Sequence, residues 1–173
     1  MPEIFFLMLF YLLVEFNSNN LSMATGRQTV VIYPYYLLVE LILIYLAFKS
    51  SLPKSIMAMI SLVALIIIGE AVFLDFKTMA VSKIIEPLAI VLISVLWLYS
   101  TFKMAERKIE KLPLFWVAAG LLVHFLPAIL LLAVYGIIKV EPADQLFAIQ
   151  LRWVLNIISK LSITVGLWKA FRS

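Results

Sequence analysis

The chain has 173 residues, of which 65% are hydrophobic and 14% are charged, and its mean hydropathy is +1.10. A soluble domain of this length is nearer half apolar and has too much surface to hide so many apolar side chains. The absence of cysteine excludes disulfides, and a single histidine excludes a multi-histidine metal site within one chain. The formal charge of +4 comes mostly from the ends of apolar runs, so no nucleic-acid partner is expected.

Apolar runs follow one another along the chain, each near the length that crosses a hydrocarbon core of about 30 Å. They predict six transmembrane helices, in chain order at residues 4–16, 30–48, 56–74, 84–102, 114–138 and 147–171. The first run is the shortest, and a start further upstream would lengthen it. Glu3 stands where a signal peptide carries basic residues, so this run is interpreted as a retained helix.

The runs show no alternation of apolar and polar residues, which argues against a transmembrane β-barrel. The predicted fold is therefore all-α, a polytopic transmembrane helical bundle of about six spans. It forms a single domain over residues 1–173 with no soluble domain. With six spans, eight lysines and arginines flank the helices on the side of both termini, against four on the other side. This excess predicts an inner-membrane protein with the N- and C-termini in the cytoplasm.

Tryptophan and tyrosine side chains cluster near the ends of the predicted spans. Such residues commonly anchor a helix at the membrane–water interface. This role is predicted for Trp97, Tyr99, Trp116, Tyr135, Trp153 and Trp168.

Polar residues also fall inside the predicted spans, where an ionisable group needs a partner or water. The candidates for a buried polar set are Glu40, Glu70, Glu86, His124, Arg152, Asn156 and Lys160. On the sixth span, Arg152, Asn156, Lys160 and Thr164 are spaced by four and form one polar stripe. The stripe is expected to face the bundle interior, a partner subunit or a water-filled cavity.

Depth along the helices predicts two layers of charge. In the outer layer, Arg152 pairs with Glu70 or Glu86. In the central layer, Lys160 pairs with Glu40. Replacing one partner of such a pair leaves a charge alone in a low dielectric, so each layer would stabilise the fold through both of its members.

His124 lies near the depth of the central layer, three residues before Pro127. Its ring either joins Lys160 to Glu40 or binds the carbonyl that the proline leaves without a donor. Two interpretations of the whole polar set stay open: structural contacts that hold the helices together, or a ligand or proton site.

Motifs for catalysis are missing. The sequence has no phosphate-binding glycine loop, no His-Glu-x-x-His and no Gly-x-Ser-x-Gly, and Asp75 and Asp144 both lie between spans. Catalytic residues and cofactors are therefore not expected. A lipid-acting enzyme built from Glu, His and Arg stays the weakest alternative.

Three stretches carry a family resemblance: YYLLVE at residues 35–40, LPLFWVAAG at 112–120 and WVLNII at 153–158. They resemble a family of small polytopic membrane proteins of Bacteroidota whose function is not established. Its members resemble seven-helix proteins and often occur near sensor-kinase genes. The resemblance implies that this chain is similar to the last six helices, and it implies a sensory role.

The leading expectation is a sensory or regulatory membrane component that binds a small ligand or a partner within the bundle. The alternative is a proton-coupled or ion-conducting transporter or channel. The expected partners are membrane lipids, with either further copies of the chain or a membrane signalling partner.

Topology is directly testable with reporter fusions after Ser173 and within the loop at residues 106–111. The charge count predicts that both positions report a cytoplasmic location. An extracytoplasmic signal from both would reverse the orientation. Disagreement between them would overturn the number of spans in the last third of the chain.

Overall fold

A computed structural model of the chain describes residues 5–6, 9–10, 33–49, 54–73, 81–104, 109–137 and 142–172. The regular structure in these segments is helical throughout, so the all-α prediction is confirmed for this part of the chain. The α-helices, in chain order, are α1 (Tyr33–Phe48), α2 (Lys54–Phe73), α3 (Ser82–Met104), α4 (Pro113–Ile137) and α5 (Pro142–Arg172). A short 3-10 helix, Ile109–Lys111, precedes α4.

Helices α2 to α5 are each long and apolar enough to cross a membrane. Their candidate spans are Ile56–Phe73, Ile84–Lys103, Pro113–Leu131 and Gln150–Arg172. Even the shortest, at 18 residues, rises about 27 Å, close to the thickness of a hydrocarbon core. Helix α1 is equally apolar but has 16 residues.

These five helices correspond to the second to sixth predicted spans. The first predicted span, residues 4–16, lies almost wholly outside the described residues, where only residues 5–6 and 9–10 are given, as helix. Six spans therefore remain a prediction, while four membrane-length helices are established.

Two helices begin at a proline. Helix α4 starts at Pro113, and α5 starts at Pro142, within the connection predicted between the fifth and sixth spans. The first N–H groups of a helix have no partner within it, so a residue that lacks an N–H is tolerated at the first position. The connection before α5 is accordingly shorter than predicted.

The contacts of the chain divide it into two compact units, Met1–Ala89 and Ile90–Ser173, with the boundary inside α3. In the first unit, α1 packs on α2. Both helices bury apolar residues at successive steps of four, three and four, which place them on one helical face. The buried residues are Leu37, Leu41, Ile44 and Phe48 on α1, and Ile56, Ile60, Val63 and Ile67 on α2.

In the second unit, α4 and α5 form an extensive antiparallel contact. Glycine lets the two backbones approach closely. A Cβ atom added at Gly120 would lie 2.8 Å from the carbonyl oxygen of Ser159, and one at Gly166 would lie 2.8 Å from that of Pro113. Such small-residue contacts are typical of helix pairs in membranes.

The expected aromatic anchors differ in exposure: Trp116 is half-buried, and the side chain of Tyr135 lies outside the described residues. Tyr99, Trp153 and Trp168 are exposed, with 70% of Trp153 accessible. Trp97 is only 4% exposed, so its predicted role as an interface anchor is wrong. Trp97 follows Ile93 by four residues and Ser94 by three, so it shares the buried face of α3 with them. Its position on that face decides its burial, although it lies near the end of the helix.

The α4–α5 contact predicts a large difference between two glycine substitutions. Gly120→Ala forces a methyl group against Ser159 and Ile163 and is expected to destabilise the fold by about 1–3 kcal/mol. Gly69→Ala on α2 is the control, because a Cβ there meets nothing within 4 Å; it should be neutral or stabilising, by up to about 1 kcal/mol. Unfolding in mixed micelles measures both, and equal effects would contradict the close approach.

Candidate functional site

The start of α3 lacks a local cap. The carbonyl of Val81 accepts the first bonds of the helix, from the N–H groups of Ile84 (3.0 Å) and Ile85 (2.9 Å). Val81 therefore occupies the N-cap position, where a Ser, Thr, Asp or Asn side chain usually binds the N–H groups of the first turn. The valine side chain has no acceptor, so an acceptor must come from elsewhere.

Glu70 of α2 supplies this acceptor. Its Oε1 accepts from the N–H of Val81 at 3.1 Å, and its Oε2 accepts from the N–H of Ser82 at 2.7 Å. A carboxylate at this position also interacts favourably with the positive end of the helix dipole. Glu70 is buried, and its charge is balanced by backbone groups of α3.

One turn further along α3, Glu86 meets Glu40 of α1. The two carboxyl groups lie close enough to interact directly, and each residue is 1% exposed. An ionised carboxylate can only accept hydrogen bonds, so a bond between two carboxyl groups requires a proton on one of them. We call Glu40 and Glu86 the carboxyl pair.

Helix α3 carries three buried polar atoms without a hydrogen-bond partner within the described segments. They are Oε1 of Glu86 and the hydroxyls of Ser82 and Ser94. Ser82 precedes Glu86 by four residues, so the two side chains occupy one face of α3. Buried polar atoms of this kind are rare, and a ligand, a water molecule or a functional role commonly accounts for them. No three His, Cys, Asp or Glu side chains are grouped as metal ligands in the part of the chain that the structure describes.

The other four candidates belong to the second unit. His124 is half-buried and meets the ring of Phe125 edge-to-face at 4.7 Å. Asn156 and Lys160 are half-buried, whereas Arg152 is exposed. The face of α5 that is buried in this unit carries Ser159, Ile163 and Gly166 instead.

Thr164 completes the polar stripe and shows how a helix can satisfy its own polar groups. Its hydroxyl donates to the carbonyl of Lys160 at 2.7 Å. Arg152 and Thr164 are exposed within the second unit, and all three environments expected for the stripe stay predictions.

Both carboxyl groups that the sequence offers to Arg152 have other partners in the structure. Glu70 binds the start of α3, and Glu86 binds Glu40. The expected pairs of Arg152 with these glutamates, and of Lys160 with Glu40, join residues of different compact units, and they stay predictions. Sequence reasoning missed Ser82 and Ser94, although the four-residue step from Ser82 to Glu86 was a usable signal.

Comparison with known proteins adds no relative. No protein-family model matches the chain, no curated protein matches it, and no solved structure matches it.

The cap made by Glu70 predicts a loss that a local cap can restore. Glu70→Ala removes the acceptor for two N–H groups and is expected to cost about 1 kcal/mol of stability. Adding Val81→Asp supplies an acceptor at the N-cap and should recover part of that loss.

Glu110→Ala is the matched control for this experiment, because Glu110 is an exposed glutamate and its loss should change stability little. Chemical unfolding of the detergent-solubilised chain provides the comparison. Equal losses for Glu70→Ala and Glu110→Ala would refute the cap.

Proposed function

We propose that this chain is a sensory or regulatory component of a membrane, and that the carboxyl pair is the site through which it responds. The supporting observation is the proximity of two carboxyl groups that are each 1% exposed, contributed by α1 and by the start of α3 and placed so that they can share a proton. Ionisable residues in membrane helices are costly and usually functional.

The physical basis of a response is the proton that the bond requires. When the proton is lost, two negatively charged groups face each other in an environment of low dielectric, and they repel each other strongly. Relief comes from moving the two side chains apart. A change at this single bond would therefore be transmitted to the packing between α1 and the first turns of α3.

The ligand that this site fits is a proton or a small hydrogen-bond donor. Glu86 Oε1 is a buried acceptor with no donor among the described residues, and the Ser82 hydroxyl lies on the same face of α3. A small donor that binds Glu86 would compete with the bond between Glu86 and Glu40. Protonation and ligand binding would then drive opposite states of the pair.

A proton-coupled transporter is the second candidate, and the same pair favours it. Carboxyl groups at membrane depth can take up a proton and release it, as a proton relay requires. The two functions differ in what crosses the membrane. A transporter moves protons with its substrate, whereas a sensor changes conformation without net flux.

The setting of this function is also proposed. We place the chain in the inner membrane, with six spans and both termini in the cytoplasm, on the charge asymmetry of its loops. The resemblance to the Bacteroidota family, whose members often occur near sensor-kinase genes, supports a membrane signalling partner.

Glu86→Gln tests the proposal, because the amide supplies a permanent donor to Glu40 in nearly the same shape. In the unaltered chain, raising the pH removes the shared proton, and the melting temperature in detergent should fall. In Glu86→Gln this part of the pH dependence should disappear. Glu110→Gln, which makes the same chemical change at an exposed position, should keep it.

Two outcomes would count against a sensor built on this pair. If Glu86→Gln kept the full pH dependence of the unaltered chain, the pair would not be the responsive site. If liposomes containing the chain carried a proton flux that Glu86→Gln abolished, the transporter would replace the sensor.

A further inference from the structure

The second unit brings four aromatic and basic side chains to one end of the α4–α5 pair. Because the two helices are antiparallel, the start of α4 lies beside the end of α5, where Gly166 approaches the carbonyl of Pro113. This end carries Trp116 on α4 and Trp168, Lys169 and Arg172 on α5. We call these four residues the basic cluster.

Trp116 joins both helices to the preceding turn. Its indole N–H donates to the carbonyl of Glu110 at 2.8 Å, and its ring lies 5.8 Å from the ammonium nitrogen of Lys169. The hydrogen bond orients the ring, and the ring attracts the cation through its negative face. Lys169 is thereby held near the point where α4 begins.

Arg172 is held in a similar way by Trp168. The carbon at the centre of its guanidinium group lies 4.1 Å from the centre of the indole ring. Stacking uses the flat face of the guanidinium, whereas its five N–H donors lie in its plane and stay available to an acceptor. Lys169 and Arg172 are three residues apart, so they are neighbours on the helix surface.

The cluster also lies at a boundary of the membrane-length segments. The candidate span of α4 begins at Pro113, and that of α5 ends at Arg172. Tryptophan is enriched at this depth, and lipid phosphate groups occupy it. Lys111, which is exposed in the 3-10 helix, adds a third cation before α4.

We propose that the basic cluster binds the phosphate of an anionic phospholipid. Arg172 and Lys169 donate to the phosphate oxygens, and the two indole rings contact the glycerol and upper acyl region. A lipid is favoured over a soluble phosphate because the cations are mounted on aromatic rings at the end of two apolar spans. The basic cluster belongs to the second compact unit, and the carboxyl pair belongs to the first.

The test uses the full chain, delipidated in a neutral detergent and titrated with phosphatidylglycerol, with phosphatidylcholine as the uncharged-headgroup comparison. Bound lipid is counted by native mass spectrometry. Arg172→Gln should weaken phosphatidylglycerol binding about five-fold, the effect of one cation near an anionic surface. Trp168→Leu keeps every charge and should also weaken binding, because it removes the ring that holds Arg172.

Arg152→Gln is the matched control, since it removes an exposed arginine from the same helix outside the cluster. Arg152→Gln should leave phosphatidylglycerol binding within about two-fold of the unaltered chain, because Arg152 attracts the lipid only through its charge and does not belong to the basic cluster. Equal losses for Arg152→Gln and Arg172→Gln would overturn the proposal in favour of attraction by net charge. Displacement of the lipid by an equal concentration of inorganic phosphate would overturn the choice of a lipid.

Discussion

The organisation of the first unit depends on one constraint: a polar group enclosed by apolar helices must find its hydrogen bond within the protein. Helix α3 starts at a valine that cannot cap it, and the missing acceptor comes from Glu70 of another helix. One turn later, Glu86 meets the same requirement through Glu40. The start of α3 is thus fixed by carboxyl groups from α1 and α2, and both contacts are specific in a way that apolar packing is not.

The apolar pattern of the sequence was sufficient to predict the helices. Long uninterrupted runs gave α2 to α5 and most of their limits, because length and composition decide whether a helix can cross a membrane. The two features that differ from the sequence-based prediction, the start of α5 and the burial of Trp97, have local causes. A helix can begin at a proline, as α5 does at Pro142, and Trp97 turns inward because helical spacing places it beside Ile93.

Partners were much harder to predict than positions. The sequence identified Glu40, Glu70 and Glu86 as membrane-depth carboxyl groups, and all three are buried. It assigned cations to them, since opposite charge is the simplest way to neutralise a carboxylate. Helix N–H groups and a second carboxyl group can also be the partners of a buried carboxyl group, but both depend on how neighbouring helices are placed. A one-dimensional estimate of depth along each helix does not contain that information.

The contact between Glu70 and the start of α3 also bears on how the chain enters the membrane. It joins the last turn of α2, which ends at Phe73, to the first residues of the next helix, which begins at Ser82. A carboxylate that is already bound to N–H groups presents less unsatisfied polarity to lipid than a separate glutamate and a bare helix end. Helices α2 and α3 are therefore suited to leave the insertion machinery together, with this contact already formed.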